Sequence, residues 1–386
     1  MTTLAASAAH PNDPTADDAP RRVGYLLGAG ATQGAASYAG STARLVMEGI
    51  IDRLLEHTQE VYSKDFSDHA GLSHLVNDVV DAKTDFEHLL TFLSDTPSKP
   101  YRHFANRLKE VFSVVLQEAL ATVQQQVGGK NLSLYGALLD MHAVAGSGER
   151  LTGVLTLNYD TFLEHAIEEM LKRPVNFGVH VGGSHRADAE EPVTVLKLHG
   201  SFGWSPQWPI KASDDIEVAL WIPPGIRKAK TDYPFNAIWG SARELLDCDV
   251  LRIIGCKLGP NDWDLVSLLF TTMHGRDSAQ PYNIEVIGWP EDASRIATAF
   301  PYLDVCSVLE LPDVGAQLIG ELLGTDPIEF SALKDSDKTR AEDVAASKLK
   351  NPFLDWLRVK GELMYRDLGT IDTEHNIFMQ FVEESI

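Results

Sequence analysis

The chain has 386 residues, 44% of them hydrophobic, and its 33 Lys+Arg against 55 Asp+Glu give a formal net charge of -22. So acidic a balance excludes direct nucleic-acid binding and attachment to an anionic membrane surface as expectations, because both draw their affinity from cationic side chains. The length suits one large α/β domain with helical additions, or two domains.

The three cysteines, Cys248, Cys256 and Cys306, form no CxxC pair. That excludes a structural zinc ribbon and a thioredoxin-like motif, and suits a reducing compartment. There is no apolar run of about 18 residues, so no transmembrane helix is expected. Residues 1–20 are rich in Ala, Asp and Pro and lack the basic start and apolar core of a signal peptide. They are expected to be a disordered tail on a cytoplasmic protein.

Taken in chain order, Val23 to Leu27 is a short apolar run that stops at Gly28-Ala29-Gly30, a buried strand feeding a glycine turn. Leu45, Val46, Ile50, Leu54 and Leu55 recur at helical spacing, predicting a helix over 41–55. Further helical pattern covers 73–82, 85–93 and 101–126, so that about 45–145 reads as helical material inserted after the first strand. A second strand, Leu151 to Leu157, ends at Asn158-Tyr159-Asp160 and leads into a helix over 161–171. A Gly- and His-rich loop follows. Val193 to Leu198 is a third strand, ending at His199-Gly200. Trp204, Trp208, Trp221, Pro223 and Pro224 mark short strands and turns. A helix is expected over 238–246, a strand over 250–254 ending at Gly255, a helix over 262–273, and a strand over 284–287 ending at Gly288. Past about 326 the chain is polar, then helical over 352–366 and again over 377–382. Strands alternating with helices predict an α/β fold: a doubly wound, mostly parallel Rossmann-like sheet with an inserted helical subdomain and a C-terminal helical extension.

Ligands of such sheets bind at the carboxyl ends of the strands. Gly28-Ala29-Gly30, Asn158, Asp160, His199 and Gly255 all fall there. A Gly-x-Gly turn lets backbone approach a pyrophosphate, with the following helix N-terminus supplying N–H donors. The spacing Gly28-x-Gly30-x-x-x-Gly34 is one residue longer than the dinucleotide fingerprint, and Glu48 sits inside a helix rather than at a strand end, which weakens a dehydrogenase reading. The same glycines also suit a plain strand–helix turn. Asn158 and Asp160 equally suit helix capping, and His199 a structural turn histidine. His180 and His185 have no Cys, Asp or Glu at ligand spacing, so no metal is expected. The tryptophans read as core or wall aromatics.

Together, four segments resemble the sirtuin family, and most closely its divergent bacterial branch: Gly28-Ala29-Gly30-Ala31, Thr156-Leu157-Asn158-Tyr159-Asp160, Lys197-Leu198-His199-Gly200-Ser201 and Ile253-Ile254-Gly255-Cys256-Lys257-Leu258. Thr84 to Leu90 also looks like a helical element of that branch. The resemblance covers roughly 21–325, leaving 326–386 as an extension open to self-assembly, partner docking or plain packing.

The resemblance implies a site for NAD. Gly28, Ala29 and Gly30, with Ala31 and Thr32 beside them, would hold the phosphates. Asn158 would contact the nicotinamide-side ribose and help place water, Asp160 would face the nicotinamide carboxamide, and His199 would be the general base. Gly255 and Cys256 would lie against the adenosine side, and Gly288 near the adenine. Deacetylating sirtuins carry two zinc-binding cysteine pairs and an aspartate–phenylalanine–arginine triplet, and this chain has neither. That moves the expectation from deacylation to hydrolysis of NAD itself, with NAD as the substrate and no metal. The divergent branch implies an NAD-depleting effector of anti-phage defence, homo-oligomeric or restrained by a HerA-type ATPase partner. A non-enzymatic NAD or ADP-ribose sensor, a protein deacylase and an ADP-ribosyltransferase are the alternatives.

Overall fold

A computed structural model of the chain describes residues 19–66, 86–127, 133–144, 147–179, 181–182, 191–205, 210–212, 220–223, 231–275, 283–288, 290–301, 305–307 and 351–368, with single positions near 72–74, 303, 326, 332–337 and 377–381. Residues 1–18 of the expected tail, His180, His185, Trp208, Pro224 and most of the helix expected over 73–82 lie outside the described residues.

Seven strands form the central sheet, in the order β12-β11-β10-β1-β2-β5-β3, with every adjacent pair parallel. The long members are β1 (Arg21–Leu27), β2 (Glu149–Thr156), β5 (Val193–Lys197), β10 (Val250–Ile254) and β11 (Asn283–Ile287). Each is the apolar run that the sequence marks, and β10 is buried at all five positions. Strands covered on both faces must be apolar throughout, which is why these runs show no alternation. The edge strands β3 (Val175–Asn176) and β12 (Val305–Ser307) were not expected. Two or three residues are too few to show a period. Short strands β4 (Val181–Gly182), β6 (Gly200–Ser201), β7 (Trp204–Ser205), β8 (Ile210–Ala212) and β9 (Leu220–Trp221) make two small sheets.

The described residues between β1 and β2 are helical where regular: α1 (Ala29–Tyr38), α2 (Met47–Asp65), α3 (Phe86–Asp95), α4 (Lys99–Val127) and α5 (Ser133–Asp140). On α4, Phe104, Leu108, Phe112, Val115, Ala119 and Val123 are buried, a stripe at three- and four-residue intervals. The helix expected from residue 41 starts instead at Met47. Two glutamines explain the delay. Gln33 Oε1 accepts from Leu45 N at 2.7 Å and its Nε2 donates to Ala43 O at 2.9 Å. Gln126 Oε1 accepts from Ser41 Oγ at 2.7 Å and Thr42 N at 2.9 Å. With backbone groups satisfied by side chains, residues 41–45 have no need of helical partners.

After β2 come α6 (Phe162–Glu169), α7 (Phe235–Leu245), α8 (Trp263–His274), α9 (Pro290–Ala299) and α10 (Pro352–Leu368). In α10, Phe353, Trp356 and Leu357 are buried in the same core as the sheet. Beneath this helix Arg252 of β10 is 1% exposed. It meets Glu149 with two hydrogen bonds of 2.6 and 2.7 Å, Glu285 at 2.7 Å and the Trp356 ring at 5.2 Å. Arg252 also donates to Tyr25 Oη at 3.3 Å, and the same oxygen pairs with His142 Nε2 at 2.8 Å.

Burial pushes the His142 imidazole down to about 4, with Glu149 opposing and Arg252 and Lys360 adding to the fall. The folded chain therefore holds a neutral histidine that the unfolded chain protonates below about 6.5. The stability this group contributes is complete above that pH and is lost as pH falls toward 4, by about 3 kcal/mol in all. The expected result is that the stability gap between wild type and His142→Gln narrows from neutral pH to about 4 in denaturant titrations. A gap that stays constant over that range rules out His142 as the titrating group.

Candidate active site

The sheet order reverses around β1, which has β2 on one side and β10 on the other. This is the topological switch point at which loops part and leave a crevice over the strand ends. A cavity of about 300 Å³ occupies it. Its floor is Gly28, Ala29, Gly30 and Thr32 after β1, Leu157 to Asp160 after β2, His199 after β5, and Gly255 and Cys256 after β10. The four strand ends expected to share a site all line this one cavity. The volume is at the lower end of the small-molecule range. Two expected residues stand apart: neither Ala31, fully buried, nor Gly288, packed beside Asp292, lines the cavity.

The glycines are explained by backbone contact. A Cβ on Gly28 would lie 2.5 Å from Gly255 O, and one on Gly30 would lie 2.7 Å from Gly255 Cα. The two turns interlock through Gly28 N donating to Ile254 O at 3.0 Å and Gly30 N to Gly255 O at 2.9 Å, while Ala31 N donates to Gly28 O at 2.9 Å. Three of the amides expected to cradle phosphate are thus already used. The Ala29 N–H, at the first helical position, is the loop amide with no partner among the described residues.

Asn158 is fixed in orientation. Its Nδ2 donates to Gly28 O at 2.9 Å and to Thr32 Oγ1 at 2.9 Å. Gly28 O can only accept, so the amino group must face it, and both side-chain donors are spent. Oδ1 remains, and a carbonyl oxygen can receive a hydroxyl or a water.

Asp160 opens onto the cavity but is closed in by protein elsewhere. Its Oδ1 accepts from Phe162 N at 3.1 Å, a turn bond two residues on that precedes α6, whose N-cap is Thr161, and its Oδ2 accepts from Thr32 Oγ1 at 3.0 Å. Behind it lies Lys197, 1% exposed, paired with Glu164 Oε1 at 2.7 Å and donating to the Asp160 backbone carbonyl. Burial raises the Asp160 carboxyl above its ordinary range. Lys197 pulls it back, Glu164 pushes it further up, and the Phe162 amide and Thr32 hydroxyl oppose the rise.

His199 is 7% exposed. Its carbonyl accepts from Ile222 N at 2.8 Å, and Ile222 O in turn accepts from Tyr159 Oη at 2.8 Å, which ties the histidine turn to the β2 loop. Tyr159 also stacks on Phe202 with ring centres 5.2 Å apart, and Trp221 meets both rings edge-on, so Trp221 supports Tyr159 without itself lining the cavity. Burial pushes the Cys256 thiol up to about 12, so it stands in the site as a neutral group.

Residues 152–300 match the family model described as the SIR2-like domain. Over that segment the chain is SIR2-like. No curated protein matches the chain. Of the solved structures, one titled "Structural Basis for the Mechanism and Regulation of Sir2 Enzymes" is similar over 86% of this chain and 93% of its own, at 14% identity and a TM-score of 0.34, too low to support residue-level comparison.

The SIR2-like match contains Asn158, Asp160, His199, Gly255 and Cys256, whereas the glycine turn that completes their cavity lies before it. The far wall is also outside the match. Leu45, Val46 and Ile50 come from the start of α2 and the segment before it, Glu87 from α3, and Phe112, Leu116 and Leu120 from α4. Sequence reasoning did not assign these to the site. Their helical periodicity marks them as buried but does not say against what. Lys257 and Asp262, also on the cavity, follow Gly255 closely, and their place after a strand end was the available signal.

Proposed function

We propose that the chain hydrolyses the nicotinamide–ribose bond of NAD, releasing nicotinamide and ADP-ribose. The observation that carries this reading is the convergence of Asn158, Asp160 and His199 on one cavity beside the glycine turn, with Asn158 held so that its carbonyl oxygen is the group on offer. In this reading the nicotinamide ribose sits over Asn158 Oδ1, which accepts from a ribose hydroxyl. Asp160 accepts from the carboxamide N–H₂ and orients the ring. The pyrophosphate reaches the Ala29 amide at the start of α1.

The C1′–N bond breaks with its electron pair leaving on nicotinamide, through an oxocarbenium-like state like that of glycoside hydrolysis. Water forms the new C1′–O bond, and His199 accepts the proton that water gives up. The apolar wall of Phe112, Leu116 and Leu120 keeps other water from the bond. The reading extends to an NAD-depleting effector of anti-phage defence, cytoplasmic and controlled by self-assembly or a HerA-type ATPase. The resemblance of the four strand-end segments supports that extension.

The test is purified protein incubated with NAD and the products separated by chromatography, beside Asn158→Ala and His199→Ala. Wild type is expected to release free ADP-ribose, and each variant to be slower by about 10²–10³-fold, the usual cost of losing one positioned polar group or a general base. Equal release by all three sinks the site assignment. Release only in the presence of an acyl-lysine peptide, with transfer of the acyl group, would make the chain a deacylase. Tight binding of NAD without turnover would make it a sensor.

A further inference from the structure

One buried group beside the cavity has no part in the reaction as written. Tyr135, on α5 of the helical insertion, is 1% exposed, and its Oη lies 2.7 Å from Thr32 Oγ1. Thr32 is the hub of the site. It receives from Asn158 Nδ2 at 2.9 Å and gives to Asp160 Oδ2 at 3.0 Å.

A hydroxyl has one proton and two lone pairs. With Asp160 ionised, the Thr32 proton must go to the carboxylate and one lone pair must face Asn158. The remaining lone pair can only accept, so Tyr135 is the donor. With Asp160 protonated, the chain of bonds runs the other way: Asp160 gives to Thr32, and Thr32 gives to Tyr135. The direction of the Tyr135–Thr32 bond is therefore tied to the charge on Asp160.

We propose that Tyr135 is a positioning residue that fixes the direction of the Thr32 proton and so holds Asp160 as the carboxylate that receives the nicotinamide carboxamide. This rests on the reading of the cavity as an NAD site. Two further observations favour it. Burial, with Asp160 and Glu164 nearby and hydrogen bonds to Thr32 and Asn158 opposing, holds the phenol well above its ordinary range, so it stays a proton donor over the whole working range. Its ring packs against Phe353 of α10, with centres 6.1 Å apart, which pins the hydroxyl in place. The groups facing Asp160 are Lys197 and Glu164 behind it, the Phe162 amide and Thr32 beside it, and His199, Glu87, Lys257 and Asp262 on the same cavity. Of these, only Thr32 is in turn directed by Tyr135. A donor that polarises Thr32 strengthens the bond Thr32 makes to the carboxylate.

The experiment follows the Asp160 carboxyl by infrared difference titration of the full chain, its band assigned by loss in Asp160→Asn, in wild type, in Tyr135→Phe and in protein with 3-fluorotyrosine at position 135. The phenylalanine keeps the ring against Phe353. The fluorinated ring keeps the shape and is a stronger donor. The expected result is an Asp160 midpoint raised by about 0.5 pH unit in Tyr135→Phe and lowered with fluorotyrosine. The acidic limb of NAD cleavage moves the same way. A midpoint unmoved in both proteins overturns the proposal, as does a loss of activity equal at every pH. If Tyr135→Phe does not fold, the fluorotyrosine protein decides alone. The infrared midpoint does not need turnover. If it moves while wild type cleaves no NAD, the Tyr135–Thr32–Asp160 link stands and the NAD reading falls.

Discussion

Replacing Arg252 with methionine is expected to lower the stability of the folded chain by about 3–5 kcal/mol, the range seen when one partner of a buried ion pair is removed. The loss does not come from missing attraction alone. Glu149 and Glu285 have side chains only 13% and 14% exposed, and in the variant Glu285 loses the guanidinium while Glu149 is left with Lys360, 4.0 Å away. The arginine holds them across four neighbouring strands, since Glu149 is on β2 and Tyr25, Arg252 and Glu285 are register partners on β1, β10 and β11. The Trp356 ring also loses the guanidinium beneath it, so α10 loosens from the sheet. Removing the carboxylates together with the arginine should recover most of the stability, because a fully apolar replacement leaves no stranded charge. Denaturant midpoints of Arg252→Met and of the triple variant Arg252→Met, Glu149→Leu, Glu285→Leu check this. A triple variant less stable than the single one would show that the cluster contributes net attraction.

Gly255→Ala should be comparably damaging for a different reason. Gly255 has φ +62°, and an added Cβ would stand 2.0 Å from Ala31 N and 2.3 Å from Gly30 C. The left-handed conformation alone costs an alanine about 1–2 kcal/mol. The clash is with backbone, which cannot rotate away, so the two turns must separate and the total should exceed about 3 kcal/mol. Separation also breaks the bond from Gly30 N to Gly255 O and opens the cavity floor. Gly40 provides the control. Its φ is +94° with nothing within 4 Å of an added Cβ, so Gly40→Ala carries the strain without the clash. Thermal melts of the two variants should differ widely. Equal melting temperatures would mean that the turns are not interlocked.

Much of the fold is legible in the chain itself. Val23 to Leu27 and Val250 to Ile254 read as buried strands because a parallel strand between two helical layers must be apolar at every position. The glycines that end them mark where backbone meets backbone. The start of α2 was misplaced because Leu45 and Val46 continue a helical spacing while Gln33 and Gln126 hold the segment otherwise, and side chains from two distant helices are invisible to a local period. The edge strands were too short to show a pattern.

The sequence by itself determined the parallel sheet and the placing of Gly28, Asn158, Asp160, His199 and Gly255 at its carboxyl ends, since burial on both faces writes each strand as one apolar run and each loop as its punctuation. Only the tertiary structure decided what those residues can offer a ligand. Asn158 turns its carbonyl oxygen outward because Gly28 O and Thr32 take both of its protons. The Gly28, Gly30 and Ala31 amides are spent within the fold. Asp160 is governed by a threonine whose own proton is directed by a tyrosine 103 positions further along the chain. Hydrogen-bond direction depends on which groups meet in space, and a sequence period carries no record of that.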